Sequence, residues 1–145
     1  MVRRPRLLLA SSALLLLIGG LLHASAFNKV LSALAIANLQ PFAANSLKIL
    51  WLADSTTSIA LAAVFGFIAG RPSAAKRSVV LLLALIPLAT AVLIYIFMGS
   101  FIGGHIMLLS GLLATAGGSQ QRETNRLSGL TQKPGEDRSQ SLPGS

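Results

Sequence analysis

The chain contains no cysteine. Disulfides, thiolate nucleophiles, zinc–thiolate centres and iron–sulfur clusters are thereby excluded. Charge is scarce as well. Only 11% of the 145 residues are Asp, Glu, Lys or Arg, against roughly 25% in an average soluble domain. That is too little to cover a water-soluble globule, while 53% hydrophobic residues is too apolar for a disordered chain. Acids are the scarcest group, with four in all. Glu123, Glu136 and Asp137 fall near the C-terminus, and Asp54 stands alone. A carboxylate pair for acid–base catalysis is therefore excluded from the apolar part. The signatures G-x-x-x-x-G-K-[ST], H-E-x-x-H and G-x-S-x-G are also missing. The sequence leans away from an enzyme.

What is abundant is uninterrupted apolar sequence. A bilayer core about 30 Å thick needs roughly 20 apolar helical residues to cross it. Four stretches qualify, at about 7–27, 46–70, 79–98 and 101–117. They are continuous rather than alternating, and rich in Leu and Ala, so they read as helices and not as barrel strands. The expected fold is an all-α, integral membrane four-helix bundle over residues 1–118. Pro72 follows the second stretch, and Gly99-Ser100 gives a tight turn between the third and fourth. Residues 29–40 are apolar but too short to span, and are expected to form an interfacial or re-entrant segment. From Ser119 the sequence turns to Ser, Gln, Gly and Pro with mixed charge, so 119–145 is expected to be a disordered cytoplasmic tail.

Twelve Lys and Arg against four acids give a formal charge of +8. Ten of the twelve occupy three segments: Arg3, Arg4, Arg6; Arg71, Lys76, Arg77; and Arg122, Arg126, Lys133, Arg138. Four crossings put all three segments on one side, leaving Lys29 and Lys48 on the other. By the positive-inside rule both termini are expected in the cytoplasm, as for a multi-pass protein of a bacterial inner, or plasma, membrane. The basic residues form no helical face and interleave with no aromatics, so nucleic acid is not an expected partner. The expected contacts are the lipid bilayer, including its anionic lipids, and either a second copy or a membrane-protein partner. Arg3-Arg4-Pro5-Arg6, an apolar run and Ala24-Ser25-Ala26 also have the form of a secretory signal. The run is longer than the usual 7–15 residues or so of such a signal, and retention as a first span is expected.

Ionisable groups inside a membrane are costly and mark candidate functional sites. At about 1.5 Å per residue, His23, Tyr95 and His105 lie roughly 6 Å below the expected outer boundary and Asp54 roughly 10 Å below it. These four residues come from four spans and are expected to form one polar cluster. Asp54 also heads a four-residue repeat of small side chains, Ser58, Ala62, Gly66 and Gly70, expected to pack closely on another helix. Ser110, Ala114 and Gly118 form a shorter version. Trp51 is expected in the interfacial aromatic belt. No metal-ligand spacing is present.

Three functions fit these features. The first is a non-enzymatic accessory, assembly or sensor subunit that packs through its small-residue faces and needs no cofactor. The second is a proton- or cation-coupled transporter protomer using Asp54. Length and four-span layout resemble the small multidrug-resistance transporters. That resemblance implies an essential carboxylate in the first span, where this chain has none. The third is a redox subunit holding haem or quinone through His23 and His105.

Overall fold

A computed structural model describes residues 3–131, with side chains placed for 4–120. The described residues are helical throughout apart from short connections. The order is α1 (Arg3–Ser25), α2 (Phe27–Ile36), α3 (Pro41–Gly70), a 3₁₀ turn (Pro72–Ala74), α4 (Arg77–Met98) and α5 (Ile102–Thr131). Four spans, Arg4–Ile36, Pro41–Gly70, Arg77–Met98 and Ile102–Gln120, are long and apolar enough to cross a membrane. The protein is a multi-pass membrane protein by that measure.

Helix ends follow local chemistry. Pro41 opens α3 in its first turn, where a missing N–H costs nothing. Gly99 at φ 70° ends α4 in a conformation that disfavours a Cβ. Pro87 lies inside α4 with its side chain fully buried. The segment 29–40 is not a separate element. It is mostly α2, which continues α1 beyond a bend at Ala26, and α3 starts at Pro41 rather than near residue 46. The helical backbone of α5 runs on to Thr131, so the change in composition at Ser119 does not end the helix. Residues 132–145 of the expected tail lie outside the described residues.

α1 is the central helix: α3 and α5 both pack extensively on it, α4 packs mainly on α5, and α3 barely touches α4. The buried face of α1 includes Pro5, Leu9, Ser12, Leu16 and Gly20, at helical spacing. Towards α3, a Cβ on Gly20 would lie 3.2 Å from the Ser55 carbonyl oxygen. Towards α5, the Ser12 hydroxyl donates to the Ser110 carbonyl at 2.8 Å, and a Cβ on Gly117 would lie 2.9 Å from Leu9 Cγ. Both hydroxyls of the Ser12–Ser110 contact are satisfied, since Ser110 donates to the Ile106 carbonyl at 2.7 Å. Without a hydrophobic drive between helices in lipid, such close approach and hydrogen bonding hold the spans together.

The α4–α5 contact rests on a glycine repeat. Gly104, Gly111 and Gly118 are seven residues apart and face Ile94, Leu88 and Val80 respectively. A seven-residue period keeps one face turned to a neighbour that supercoils left-handed. The same period governs α3. Among its buried positions, Ser55, Ser58, Ala62, Phe65 and Ala69 alternate steps of three and four, and Leu61 and Ile68 stand seven apart beside them. The expected four-residue repeat drifts about 40° per step at 3.6 residues per turn. Ser58 and Ala62 are buried as that repeat requires, but Gly66 and Gly70 are exposed, and Gly70 has nothing within 4 Å of where a Cβ would be.

The helices differ in reach. Gly19 sits beside Ile106, and Gly20 beside Ser55. From that level the α4–α5 turn is about 8 Å away, while Ile36 is about 25 Å and Pro41 about 20 Å away along their helices, at 1.5 Å per residue. The α2–α3 hairpin thus extends roughly 15 Å past the α4–α5 turn, by the same rise.

Candidate functional site

The four intramembrane polar residues occur as two pairs. His23 near the end of α1 lies with its Nε2 3.5 Å from Asp54 Oδ2 on α3. Neither is enclosed: the side chains are 29% and 40% exposed. Tyr95 on α4 meets His105 on α5 edge-on, with ring centroids 5.5 Å apart and planes at 85°. The His105 Nδ1 lies 2.9 Å from the Phe101 carbonyl oxygen. Each pair belongs to one tightly packed helix couple, α1–α3 or α4–α5. Similar depth alone did not assign the four residues to one site.

Trp51 joins the first pair. Its ring stacks on His23, centroids 3.8 Å apart and planes at 14°. Its indole Nε1–H donates to the His23 carbonyl at 2.9 Å. That carbonyl also receives the Ala26 N–H at 3.2 Å, a tight three-residue turn at the junction of α1 and α2. The Trp51 side chain thus enters the backbone ladder at the one-residue break between α1 and α2. A residue expected in the aromatic belt therefore fixes the first pair and the direction of α2 together. Its i−3 relation to Asp54, which puts both on one flank of α3, was the available signal.

Chemically, the first pair offers a carboxylate and an imidazole that can exchange a proton at a partly exposed position. Among the described residues, no group of three or more His, Cys, Asp or Glu could hold a metal ion. His23 presents its ring face to Trp51 and its Nε2 to Asp54, while His105 belongs to the other pair. Lys48 turns to Asn45, with Nζ 3.4 Å from Oδ1, rather than to Asp54.

Other surfaces are apolar. The bundle centre is filled by Leu9, Leu16, Phe65, Val80, Ala91 and Ala114. A shallow groove of about 460 Å³ lies on α3, lined by Ala53, Thr56, Thr57, Ala60, Leu61 and Val64. At the tip of the α2–α3 hairpin, Ile36 and Phe42 are 86% and 84% exposed. No family model matches the chain, and no curated protein or solved structure matches it either.

Proposed function

We propose that this protein is a non-enzymatic accessory or assembly subunit that docks a partner at the outer face of the membrane through the α2–α3 hairpin. The observation that carries this reading is the difference in reach. α4 has 22 residues, about 33 Å at 1.5 Å per residue, and so matches the roughly 30 Å hydrocarbon core by itself. With the α4–α5 turn at the outer boundary, the hairpin stands clear of hydrocarbon. Its tip then places Ile36, Leu39 and Phe42, all exposed, in water. Large exposed apolar side chains at an extremity have the character of a contact surface. The basic ends of the spans keep this tip outside and both termini in the cytoplasm.

Extraction in mild detergent is expected to yield the chain together with a stoichiometric membrane or outer-face partner. Ile36→Asp with Phe42→Asp is expected to reduce co-purification at least tenfold while leaving thermal stability unchanged, because neither side chain is buried. Monomers with no companion protein, or a complex indifferent to both substitutions, would overturn the proposal.

The exposed Asp54–His23 pair supports a second reading, a proton- or cation-coupled transporter. In that case Asp54→Asn abolishes uptake of the transported species into cells or vesicles. Uptake unchanged by that substitution removes this reading and leaves the first untouched.

A further inference from the structure

We infer that His23, Asp54 and Trp51 form a proton-sensitive latch: a proton on His23 clamps α1 to α3 at the bend before α2 and fixes the direction of the α2–α3 hairpin, and its loss frees that bend. This device lies within the chain and depends on neither the docking nor the transport reading.

Three contacts converge on one residue. The His23 ring lies flat on the Trp51 indole, with centroids 3.8 Å apart and planes at 14°. Its Nε2 faces Asp54 Oδ2 at 3.5 Å. Its carbonyl receives the Trp51 Nε1–H at 2.9 Å and the Ala26 N–H at 3.2 Å. The first two contacts depend on the charge of the imidazole, and the third ties them to the break between α1 and α2. With both ring nitrogens protonated, Nε2–H points at a carboxylate and the ring is a cation on the face of an indole, two favourable arrangements. The neutral ring has two tautomers. One turns a lone pair to the carboxylate, which repels it. The other leaves a neutral N–H at 3.5 Å, beyond the roughly 2.7–3.2 Å of an N–H···O bond. The same geometry therefore has two charge-dependent contacts in one protonation state and loses both in the other.

Imidazole ordinarily changes charge between about pH 5 and 8. The His23 side chain is 29% exposed, and it lies about 5 Å along α1 from the level of Gly20, at 1.5 Å per residue, not far from the level of the α4–α5 turn. The other charged and titratable groups at this end are engaged elsewhere or exposed. On α3, Lys48 turns to Asn45, with Nζ 3.4 Å from Oδ1. On α5, His105 has its Nδ1 on the Phe101 carbonyl and meets Tyr95 of α4 edge-on. On α2, Lys29 is exposed. Among the described residues, the ion-pair partner of His23 is Asp54, so a proton gained by His23 is answered there. The mechanical consequence follows from the packing. α3 barely touches α4, and the hairpin is held to the bundle mainly through α1. From Ala26 to Ile36 is about 15 Å of helix, so a change of about 20° at the bend moves the tip by roughly 5 Å.

Trp51 is the chain's one tryptophan, and there is no cysteine, so a single fluorophore and engineered labels report on the latch. Stacked imidazolium quenches indole emission. In neutral detergent, Trp51 emission of the full chain is expected to rise at least twofold between pH 5 and pH 9, in one transition. His23→Gln is expected to abolish the transition and His105→Gln to keep it. Asp54→Asn, nearly isosteric and at a partly exposed position, removes the counter-charge and is expected to move the transition to lower pH by about one unit or more. Spin labels at Ile36→Cys and Phe97→Cys, both exposed, read the hairpin. Their distance distribution is expected to be narrow below the transition and broad above it, because the clamp is present while His23 is protonated and is lost as pH rises. Trp51→Phe, which keeps a ring but lacks the N–H, is expected to give the broad distribution at every pH. An emission transition that survives His23→Gln or ignores Asp54→Asn overturns the proposal. So does a distance distribution that is the same at pH 5 and pH 9, or one that narrows as pH rises.

Discussion

Replacing Gly111 with leucine is expected to break the packing of α4 on α5. A Cβ at Gly111 would lie 2.6 Å from both Cγ and Cδ2 of Leu88 and 3.2 Å from the Leu88 backbone nitrogen. The leucine side chain can change rotamer, but the nitrogen belongs to a helix and cannot move alone. Two effects compete. Leaving glycine gains up to about 1 kcal/mol of helix propensity, whereas overpacking a filled contact costs about 1–3 kcal/mol, and more where backbone must shift. At Gly111 the steric term wins. At Gly70, where nothing lies within 4 Å, the propensity term is unopposed. Gly111→Leu is therefore expected to lower the detergent-phase melting temperature sharply, and Gly70→Leu to leave it unchanged or raise it slightly. Gly118→Leu, with Val80 Cγ1 at 3.0 Å, belongs between them. Equal melting of the Gly111 and Gly70 variants would refute the close-packed α4–α5 contact.

A larger loss is expected on removing residues 1–26. That segment carries α1, which supplies the surface on which both α3 and α5 pack. Its deletion exposes Ser55, Ser58, Ala62 and Phe65 on α3, and Ser110, Ala114 and Gly117 on α5. It also removes the carbonyl that receives Trp51 and the hydroxyl that binds Ser110's carbonyl. The surviving spans can insert, since insertion depends on each span's own hydropathy, but they are expected to stay unpaired and protease-sensitive. Size-exclusion chromatography of the shortened chain should show aggregate rather than a single species. Correspondingly, the intact mass of the folded protein from membranes is expected to include residues 1–26, despite Ala24-Ser25-Ala26. A shortened chain with the wild-type melting temperature and elution volume would show that α1 is dispensable.

Much of this architecture was legible from hydropathy. The third span matched closely, and the turn at Gly99 was readable because a positive φ there suits glycine. Span ends were less legible where apolar sequence continued past a helix bend. Residues 29–40 looked like a separate segment because Lys29 and Asn28 interrupt the apolar run, although helix propensity does not stop there. The seven-residue spacing of Gly104, Gly111 and Gly118 was not among the expectations, which on this helix followed the four-residue row Ser110, Ala114 and Gly118. The four-residue pattern on α3 was the weaker guide, because packed helices keep a period of 3.5 and a four-residue row rotates away from the contact.

The sequence by itself determined that the chain lives in a membrane, how many times it can cross, and that one acid stands alone among the spans. Each of these follows from the transfer cost of individual side chains, which is local to a residue and its near neighbours. The tertiary structure decided which polar groups meet, pairing His23 with Asp54 and Tyr95 with His105. It also decided that Trp51 locks the bend before α2, that α1 is central, and that the α2–α3 hairpin outreaches the rest. Those outcomes depend on the rotation and offset of one helix against another. They are fixed by contacts between residues as far apart in the chain as Ser12 and Ser110, which no window of sequence contains.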